Sequence, residues 1–258
     1  MKISIVTANL NGNRFLAESI GSVLSQSHRD LELLIVDGGS TDGSLETIKT
    51  TALLDNRVSW ISEPDRGIAD AMNKGIRMAT GGVIGVLHSD DCYSDTMILA
   101  TVAARMSKHP QACWITGGVD FINSAGVIFK NIPVRDYSYQ RLVRSNILFH
   151  PATFVRAEVF RDCGMFNAEL KLAMDYDLWL RIGELGDPIQ VNRSLAYFRV
   201  HDASLSIQGA DEALYEEFSI RKRYLSEKGR RVWPYFFHHQ VKRLVNAFFV
   251  RGLRRASV

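Results

Sequence analysis

Two adjacent carboxylates, Asp90 and Asp91, follow a short apolar run that ends at Leu87. Adjacent carboxylates repel one another unless a cation lies between them, and hard divalent ions take oxygen ligands. Mg²⁺ and Mn²⁺ use one or two carboxylates and complete their coordination with water and substrate phosphates. The pair therefore predicts a divalent-cation site. Solvated aspartate pairs are also common in turns, and these two residues alone do not decide between the alternatives.

Polar residues also follow the other apolar runs of the N-terminal half. Asn9 follows the run that starts at Ile3, and Asp37 follows the run from 31 to 36. The runs alternate with amphipathic stretches, which predicts βαβ units and a parallel sheet. Ligands bind beyond the carboxyl ends of the strands in such sheets, so we expect Asn9, Asp37 and Asp90 to meet in one crevice. Capping of the following helices is an alternative role for such residues.

A second acidic motif, Asp175 and Asp177, opens an amphipathic stretch in the C-terminal half. A carboxylate at the mouth of a crevice can act as a general base, because it accepts the proton of an attacking hydroxyl group. Aspartate is also a favoured cap at the start of a helix. From the residues alone, catalysis and capping both stay open for this motif.

Hydrophobic periodicity predicts the elements that position these residues. Strands are expected at 3–8, 31–36, 58–61 and 83–87, and helices at 14–26, 44–54 and 68–79. Beyond residue 112 the pattern predicts a hairpin that turns at 123–126, a helical patch at 137–144, strands at 152–155 and 189–199, a helix at 175–184 and terminal helices. The prediction is an α/β fold, with a mostly parallel sheet flanked by helices and a basic C-terminal helical tail.

Length and composition bound the class of protein. The 258 residues, 46% of them hydrophobic, can bury the core of one α/β domain with a tail. The three separated cysteines form no zinc or disulfide pattern and fit a reducing compartment. The first residues lack the apolar stretch of a secretory signal, and no stretch of about 18 apolar residues predicts a spanning helix. A cytoplasmic protein is therefore expected.

Positive charge is concentrated at the C-terminus. Residues 219–258 carry a net charge of +10 and the remainder −7, although the whole chain is only +3. Residues 235–253 also place apolar and basic side chains on different faces of a helix, which predicts peripheral binding to the anionic inner face of a plasma membrane. Packing of this helix on its own domain or on a second subunit of a homo-oligomer is the alternative. Nucleic-acid binding is not expected, since no recognised motif accompanies the charge.

Five blocks of the sequence carry a wider resemblance. They are ISIVTANLN, SVLSQSHRDLELLIVDGGSTDGS, SEPDRGIADAMNKGIRMATGGVIGVLHSDD, LFHPATFVRAEVFRDCGMF and AMDYDLWLRIGELG. Their order and content resemble the family-2 glycosyltransferases of the GT-A fold, of the type that builds bacterial surface polysaccharides. The resemblance implies a GT-A domain at 1–205, with a nucleotide-binding half at about 1–118 and an acceptor half at about 119–205, followed by the tail at 206–258.

The resemblance assigns residues to the binding of a nucleotide-sugar donor. It implies that Thr7, Asn9 and Asp37, which follow the first two strands, hold the nucleotide base and the ribose. Arg66 would neutralise the diphosphate as it becomes the leaving group. Asp90 would contact the ribose or the metal. The resemblance also favours UDP as the nucleotide of the donor.

The resemblance also implies a metal cofactor, Mn²⁺ or Mg²⁺. Asp91 and Asp90 would bind it, with His201 as a further contact. The chain departs from the usual family pattern at two acidic positions, where it has Gly38 and His88. The first departure leaves the base specificity open, and His88 stays without an assigned role.

The function that follows is the inverting transfer of a sugar from a nucleoside diphosphate to a saccharide or polyprenyl-linked saccharide in polysaccharide biosynthesis, with Asp175 as the general base. A nucleotidyltransferase is the alternative among enzymes, although residues 7–12 poorly match the basic, glycine-rich phosphate loop that it would need. A catalytically degenerate protein that binds sugars or acts as a scaffold is the non-enzymatic alternative.

Overall fold

The structure, a computed structural model, describes residues 1–134, 136–233 and 235. Its strands form one nine-stranded sheet. The strands are β1 (Ile3–Asn9), β2 (Leu31–Asp37), β3 (Val58–Ser62), β4 (Val83–Val86), β5 (Cys92–Tyr93), β6 (Trp114–Ile122), β7 (Ile128–Ile132), β8 (Thr153–Arg156) and β9 (Ile189–Arg199). The helices are α1 (Asn13–Leu24), α2 (Ser44–Leu54), α3 (Ile68–Met78), α4 (Ile98–Lys108), α5 (Tyr139–Arg144), α6 (Ala157–Asp162), α7 (Met174–Gly183), α8 (Leu205–Gln208) and α9 (Ala210–Glu227).

The N-terminal half of the sheet is parallel. β1 lies between β2 and β4, and β3 extends the same order beyond β2. Nearly all residues of β1 and β2 are buried, because helices cover both faces of the sheet. Strands buried on both sides read as continuous apolar runs, which explains the pattern in the sequence. The strands and helices predicted for residues 3–87 are confirmed.

The C-terminal half of the sheet is mixed. β8 lies antiparallel between β4 and β6, β9 runs parallel to β6, and β5 pairs antiparallel with β9. The predicted hairpin is present as β6 and β7, and Gly126 takes the left-handed conformation that the turn requires, with φ of 78°. Together with its flanking helices this sheet confirms the predicted α/β class.

Three elements, α4, β5 and α6, are missing from the sequence-based prediction. α4 buries Ile98, Val102 and Met106, whose spacing is helical, so its signal is present in the sequence. β5 has two residues and exists because Cys92 and Tyr93 pair with β9. Its formation depends on a contact between distant segments, which local periodicity does not encode.

Apolar layers cover both faces of the sheet. Side chains alternate along β1, so that Ile5 packs in the layer with α1, α2 and α4, and Val6 packs in the layer with α3 and α7. α9 adds Ile220 and Leu225 to the second layer. The first part of the predicted tail is therefore packed on the α/β sheet.

The helix predicted over 235–253 lies, apart from Tyr235, outside the described residues. The division of the chain at residue 205 stays a prediction. In the described part of the chain, no helix combines the length and the apolar character needed to cross a bilayer.

Gly75 lies where α3 packs closely on β1, and this packing can be tested. A Cβ atom at Gly75 would lie 2.3 Å from Cγ1 of Val6. We expect Gly75→Ala to lower the free energy of unfolding in urea by about 1–2 kcal/mol, because the overpacking outweighs the gain in helix propensity.

Gly21 in α1 provides the matched control, since a Cβ there would meet no atom within 4 Å. We expect Gly21→Ala to raise the free energy of unfolding by about 0.5–1 kcal/mol. Equal stability of the two variants would contradict the close packing of α3 on β1.

Candidate functional site

Asp37 is the centre of a hydrogen-bonded group at the carboxyl ends of β1, β2 and β3. Asn9 is its partner in the β1–β2 register and donates from Nδ2 to Asp37 Oδ1 over 2.8 Å. The hydroxyl groups of Ser62 and Ser40 donate to Oδ2 and Oδ1 of Asp37 over 2.7 Å and 2.5 Å. Burial alone raises the pKa of Asp37, but these hydrogen bonds outweigh it and lower the pKa below its usual value. The site therefore holds a negative charge at the strand ends.

Asn9 connects this group to the end of β4. A Cβ atom on Gly12 would lie 2.5 Å from both Asn9 Oδ1 and Ser89 Oγ, so the first and fourth strand ends meet around a residue with no side chain. Asn9 Oδ1 is buried and accepts no hydrogen bond from the described residues. The ends of β1, β2 and β4 therefore lie close together. Thr7 lies below Asn9 on the same face and is fully buried.

Asp90 and His201 form the second feature of the site. Asp90 follows β4 and His201 follows β9, and His201 Nε2 lies 3.1 Å from Asp90 Oδ2. Both side chains retain access to solvent, at 31% for Asp90 and 13% for His201. A carboxylate oxygen and an imidazole nitrogen are both suitable metal donors. No cluster of three such groups occurs among the described residues, so an ion here would need ligands from water and substrate phosphate.

Asp91, unlike Asp90, is buried, at 2% exposure. Its Oδ1 accepts the backbone N–H of Arg199 over 2.9 Å, and its Oδ2 lies 3.7 Å from His150 Nε2. Burial, reinforced by the charge of Asp90, raises its pKa well above the usual range. The assignment of Asp91 to the metal stays a prediction, and this arrangement turns both of its oxygens inward.

His88 and His150 lie together beside Asp91. Their ring centroids are 4.3 Å apart, and burial lowers the pKa of both imidazoles. His88 Nδ1 and His150 Nε2 are buried and form no hydrogen bond within the described residues. Where the family pattern has an acid, this chain therefore places a neutral imidazole that packs against a second one, with the ring planes tilted by 45°.

Arg199 joins the two sides of this site, and no motif in the sequence identifies it. It is 1% exposed, its Nε donates to the carbonyl of Asp90 over 2.9 Å, and its Nη1 donates to the carbonyl of Asn123 over 3.2 Å. Its Nη2 pairs with Glu18 at 2.7 Å, and its guanidinium lies 4.5 Å from the centroid of the Phe15 ring. Arg199 thus fixes the loop of Asp90 against the strand that leads to His201.

Asp175 is in the first turn of α7 and is half-buried. Burial raises its pKa to about 6, against the opposing effect of hydrogen bonds from the N–H of Tyr176 and the amide of Asn146. Asp177 is instead occupied by ion pairs with Arg181 and Arg223. A pKa of about 6 suits Asp175 to proton transfer near neutral pH, whereas the carboxylate of Asp177 is engaged by two arginines.

Arg66 lies in the loop before α3. Its side chain is 81% exposed, and its Nη2 pairs with Asp70 Oδ1 at 3.2 Å. The structure therefore leaves this cation accessible, and its assignment to a diphosphate stays a prediction.

The arrangement of the sheet is shared with solved glycosyltransferases. S. aureus TarS 1-349 in complex with UDP-GlcNAc matches with a TM-score of 0.66 and 20% identity, over 85% of this chain and 66% of that one. The mannosyltransferase PcManGT from Pyrobaculum calidifontis, in complex with GDP-Man and Mn²⁺, matches with a TM-score of 0.66 and 18% identity, over 86% of this chain and 64% of that one. These likenesses define the fold as GT-A.

Sequence comparison gives the family. The model of "Glycosyl transferase family 2" matches residues 4–162, which is more than half of the chain, and the chain belongs to that family. It is 28% identical to the chondroitin synthase of Escherichia coli over 90% of its length but spans only 34% of that protein. It is 31% identical to a PGL/p-HBAD biosynthesis glycosyltransferase of Mycobacterium bovis, over 69% of this chain and 68% of the relative.

Arg199 generates a prediction about the stability of the site. A lysine ammonium cannot replace a planar fork that reaches three separate acceptors. We expect Arg199→Lys to lower the free energy of unfolding by about 1–3 kcal/mol, because buried carbonyls lose their donors. Urea denaturation measures the change.

Arg193→Lys, on the same strand, is the control. Arg193 is 41% exposed and pairs with Asp95, so this exchange should change the free energy of unfolding by less than about 0.5 kcal/mol. Similar losses in the two variants would contradict the role given to Arg199.

Proposed function

We propose that the protein is an inverting glycosyltransferase, which transfers a sugar from a nucleoside diphosphate sugar to a saccharide hydroxyl group. The observation that carries the proposal is the Asp90–His201 pair, 3.1 Å apart beside the converging strand ends. A charged Asp37 and a half-buried Asp175 supply groups for donor binding and proton transfer. Membership of glycosyl transferase family 2 supports the same reaction class.

The nucleotide is proposed to bind at the ends of β1 and β2. Asp37 can accept hydrogen bonds from a base N–H or ribose hydroxyl, and Asn9 Oδ1 is an acceptor without a partner in the described chain. Thr7, the third residue proposed for this nucleotide site, is buried on the same face of β1 as Asn9. TarS has been solved with UDP-GlcNAc, which agrees with UDP as the favoured nucleotide. The exposed Arg66 would leave Asp70 and pair with the diphosphate.

A divalent cation, Mn²⁺ or Mg²⁺, is proposed to bind Asp90 and His201. When bound, the ion supplies positive charge against the departing diphosphate. The two donors fit this role because they are accessible and close together. Asp91 is proposed as a further ligand, which would require its carboxyl group to turn from the backbone N–H of Arg199 toward the ion. PcManGT has been solved with GDP-Man and Mn²⁺, which supports a metal in this fold.

Asp175 is proposed to accept the proton of the acceptor hydroxyl. In an inverting reaction the hydroxyl oxygen forms a bond to the anomeric carbon while the bond to the nucleoside diphosphate breaks on the opposite face. The base must be ionised, and a pKa of about 6 leaves most of Asp175 ionised at neutral pH.

The acceptor is proposed to be a growing saccharide, free or polyprenyl-linked, in polysaccharide biosynthesis. Relatives named chondroitin synthase and hyaluronan synthase, each 28% identical to this chain, support this class. The proposal keeps the GT-A domain at 1–205 and the basic segment 206–258 as a contact with an anionic membrane.

A panel of UDP- and GDP-sugars that includes UDP-GlcNAc and GDP-Man tests the donor and the metal. With Mn²⁺ present, we expect at least one donor to release its nucleoside diphosphate. Asp90→Asn and His201→Ala should each raise the Mn²⁺ concentration for half-maximal activity by at least about tenfold. Asp95→Asn, which changes an exposed carboxylate, is the control and should leave that concentration unaltered. Absence of release from every donor, with and without lipid-linked acceptors, would reject the proposal.

The pH dependence of transfer tests the base. We expect kcat/KM for the acceptor to fall as the pH drops below about 6, because Asp175 is then protonated. Asp175→Asn should lower kcat by about 10²–10⁴-fold and leave donor affinity unchanged. Wild-type activity in this variant would assign the proton to another group.

A further inference from the structure

The Asp175 carboxylate is held by a side chain from a different segment. Asn146, in the loop after α5, donates from Nδ2 to Asp175 Oδ2 over 3.2 Å. The amide oxygen of Asn146 accepts the backbone N–H of Leu148 over 3.2 Å. Because the oxygen is engaged within its own loop, the donor edge of the amide faces Asp175.

α9 holds Asn146 in turn. Glu217 Oε1 accepts the backbone N–H of Asn146 over 3.1 Å and the Nη2 donor of Arg221 over 2.5 Å. Glu217 and Arg221 are buried, at 7% and 1% exposure. Arg221 Nε and the hydroxyl of Tyr176 both donate to the carbonyl of Val143, over 2.8 Å and 3.0 Å. Buried charges therefore connect α9, the end of α5 and the first turn of α7.

α9 also fixes the backbone that enters α7. The carboxylate of Glu216 accepts the N–H groups of three consecutive residues, Lys171, Leu172 and Ala173, over 2.8–2.9 Å. Met174 and Asp175 follow directly. Adjacent acids of one helix thus restrain Asp175 from both sides, through its own backbone and through Asn146.

The two neighbours of Asp175 have opposite electrostatic effects. The Asn146 amide stabilises the ionised carboxylate and lowers the pKa of Asp175, whereas the negative charge of Glu217 raises that pKa. Arg221 pairs with Glu217, so part of that charge is compensated within α9. Among the described residues, Glu217 is the charged side chain whose interaction shifts the pKa of Asp175.

We propose that Asn146 and Glu217 are positioning residues for Asp175, which makes α9 a functional part of the transferase site. The inference rests on the proposed function, in which Asp175 is the base. It goes beyond that function because it assigns a role to a helix outside residues 4–162, the part that matches the family model.

The test is a titration of Asp175 in the full-length protein by NMR of ¹³C-labelled aspartate carboxyl groups, with Asp175→Asn to assign the resonance. In Asn146→Ala the midpoint should rise by about one pH unit, because the donor to the ionised form is lost. In Glu217→Gln it should fall by about one pH unit, because a negative charge is removed while both hydrogen bonds to the Oε1 position are kept.

Glu212→Gln is the matched control, since it makes the same exchange on an exposed residue of α9. In this variant the midpoint of the Asp175 titration should differ from wild type by less than roughly 0.3 pH unit, because water and salt screen the charge. With whichever donor is active, Asn146→Ala should also lower kcat by about tenfold or more at unchanged donor KM, and shift the acid limb of the pH profile upward. A merely structural contact would not shift the two midpoints in opposite directions.

Thermal unfolding of each variant is measured first. If Asn146→Ala does not fold, Asn146→Asp replaces it, because it keeps the acceptor for Leu148 and its midpoint is expected to move in the same direction. A Glu217→Gln variant that does not fold gives Glu217 a structural role and overturns its part of the proposal. If the midpoints of the Asp175 titration do not move, or if both move in the same direction, the proposal for both residues is overturned.

The failure of this inference is distinguishable from failure of the proposed function. If Asp175→Asn abolishes transfer but the midpoints stay unmoved, only the positioning role is lost. If Asp175→Asn transfers sugar at the wild-type rate, the proposed base is wrong whatever the titrations give.

Discussion

The parallel pairing of β1 with β2 and β4 is the constraint on which the site depends. Strands that run in one direction end at one edge of the sheet, so the residues after them are brought together however far apart they lie in the sequence. Asn9, Asp37 and Ser89 meet there for this reason. A shift of one residue in register would move these side chains to the opposite face of the sheet.

Polar groups at this edge have lost much of their contact with water, and the protein itself must supply their hydrogen bonds. Asp37 receives donors from three different segments, and Asp91 receives the backbone N–H of Arg199. The same contacts connect the strand ends to each other. Supplying hydrogen bonds to these buried groups and holding the strand ends together are therefore one physical requirement.

The second half of the chain adds the remaining residues of the proposed site to those at the ends of the parallel strands. β9 brings His201 to Asp90, and α7 presents Asp175 with a raised pKa. α9 packs Ile220 into the apolar layer below α7 and sends Glu217 to the loop beside Asp175. Charge along the sequence distinguishes residues 1–205 from the basic tail. Hydrogen bonds and apolar contacts of α9 nevertheless link the start of that tail to the proposed acceptor side.

The sequence by itself determined the elements of residues 3–87 and the placement of Asp37, Asp90 and Asp175 at element ends, because apolar periodicity reports local burial. It did not determine that Asp90 faces outward and Asp91 inward. That choice depends on Arg199, 108 residues away, which binds Asp91 with its N–H and the carbonyl of Asp90 with its side chain. Asn146 carries no motif, and its role exists only through contacts with α7 and α9. Periodicity encodes which segments are buried, whereas the direction of a polar side chain is decided by partners that only the folded chain brings within reach.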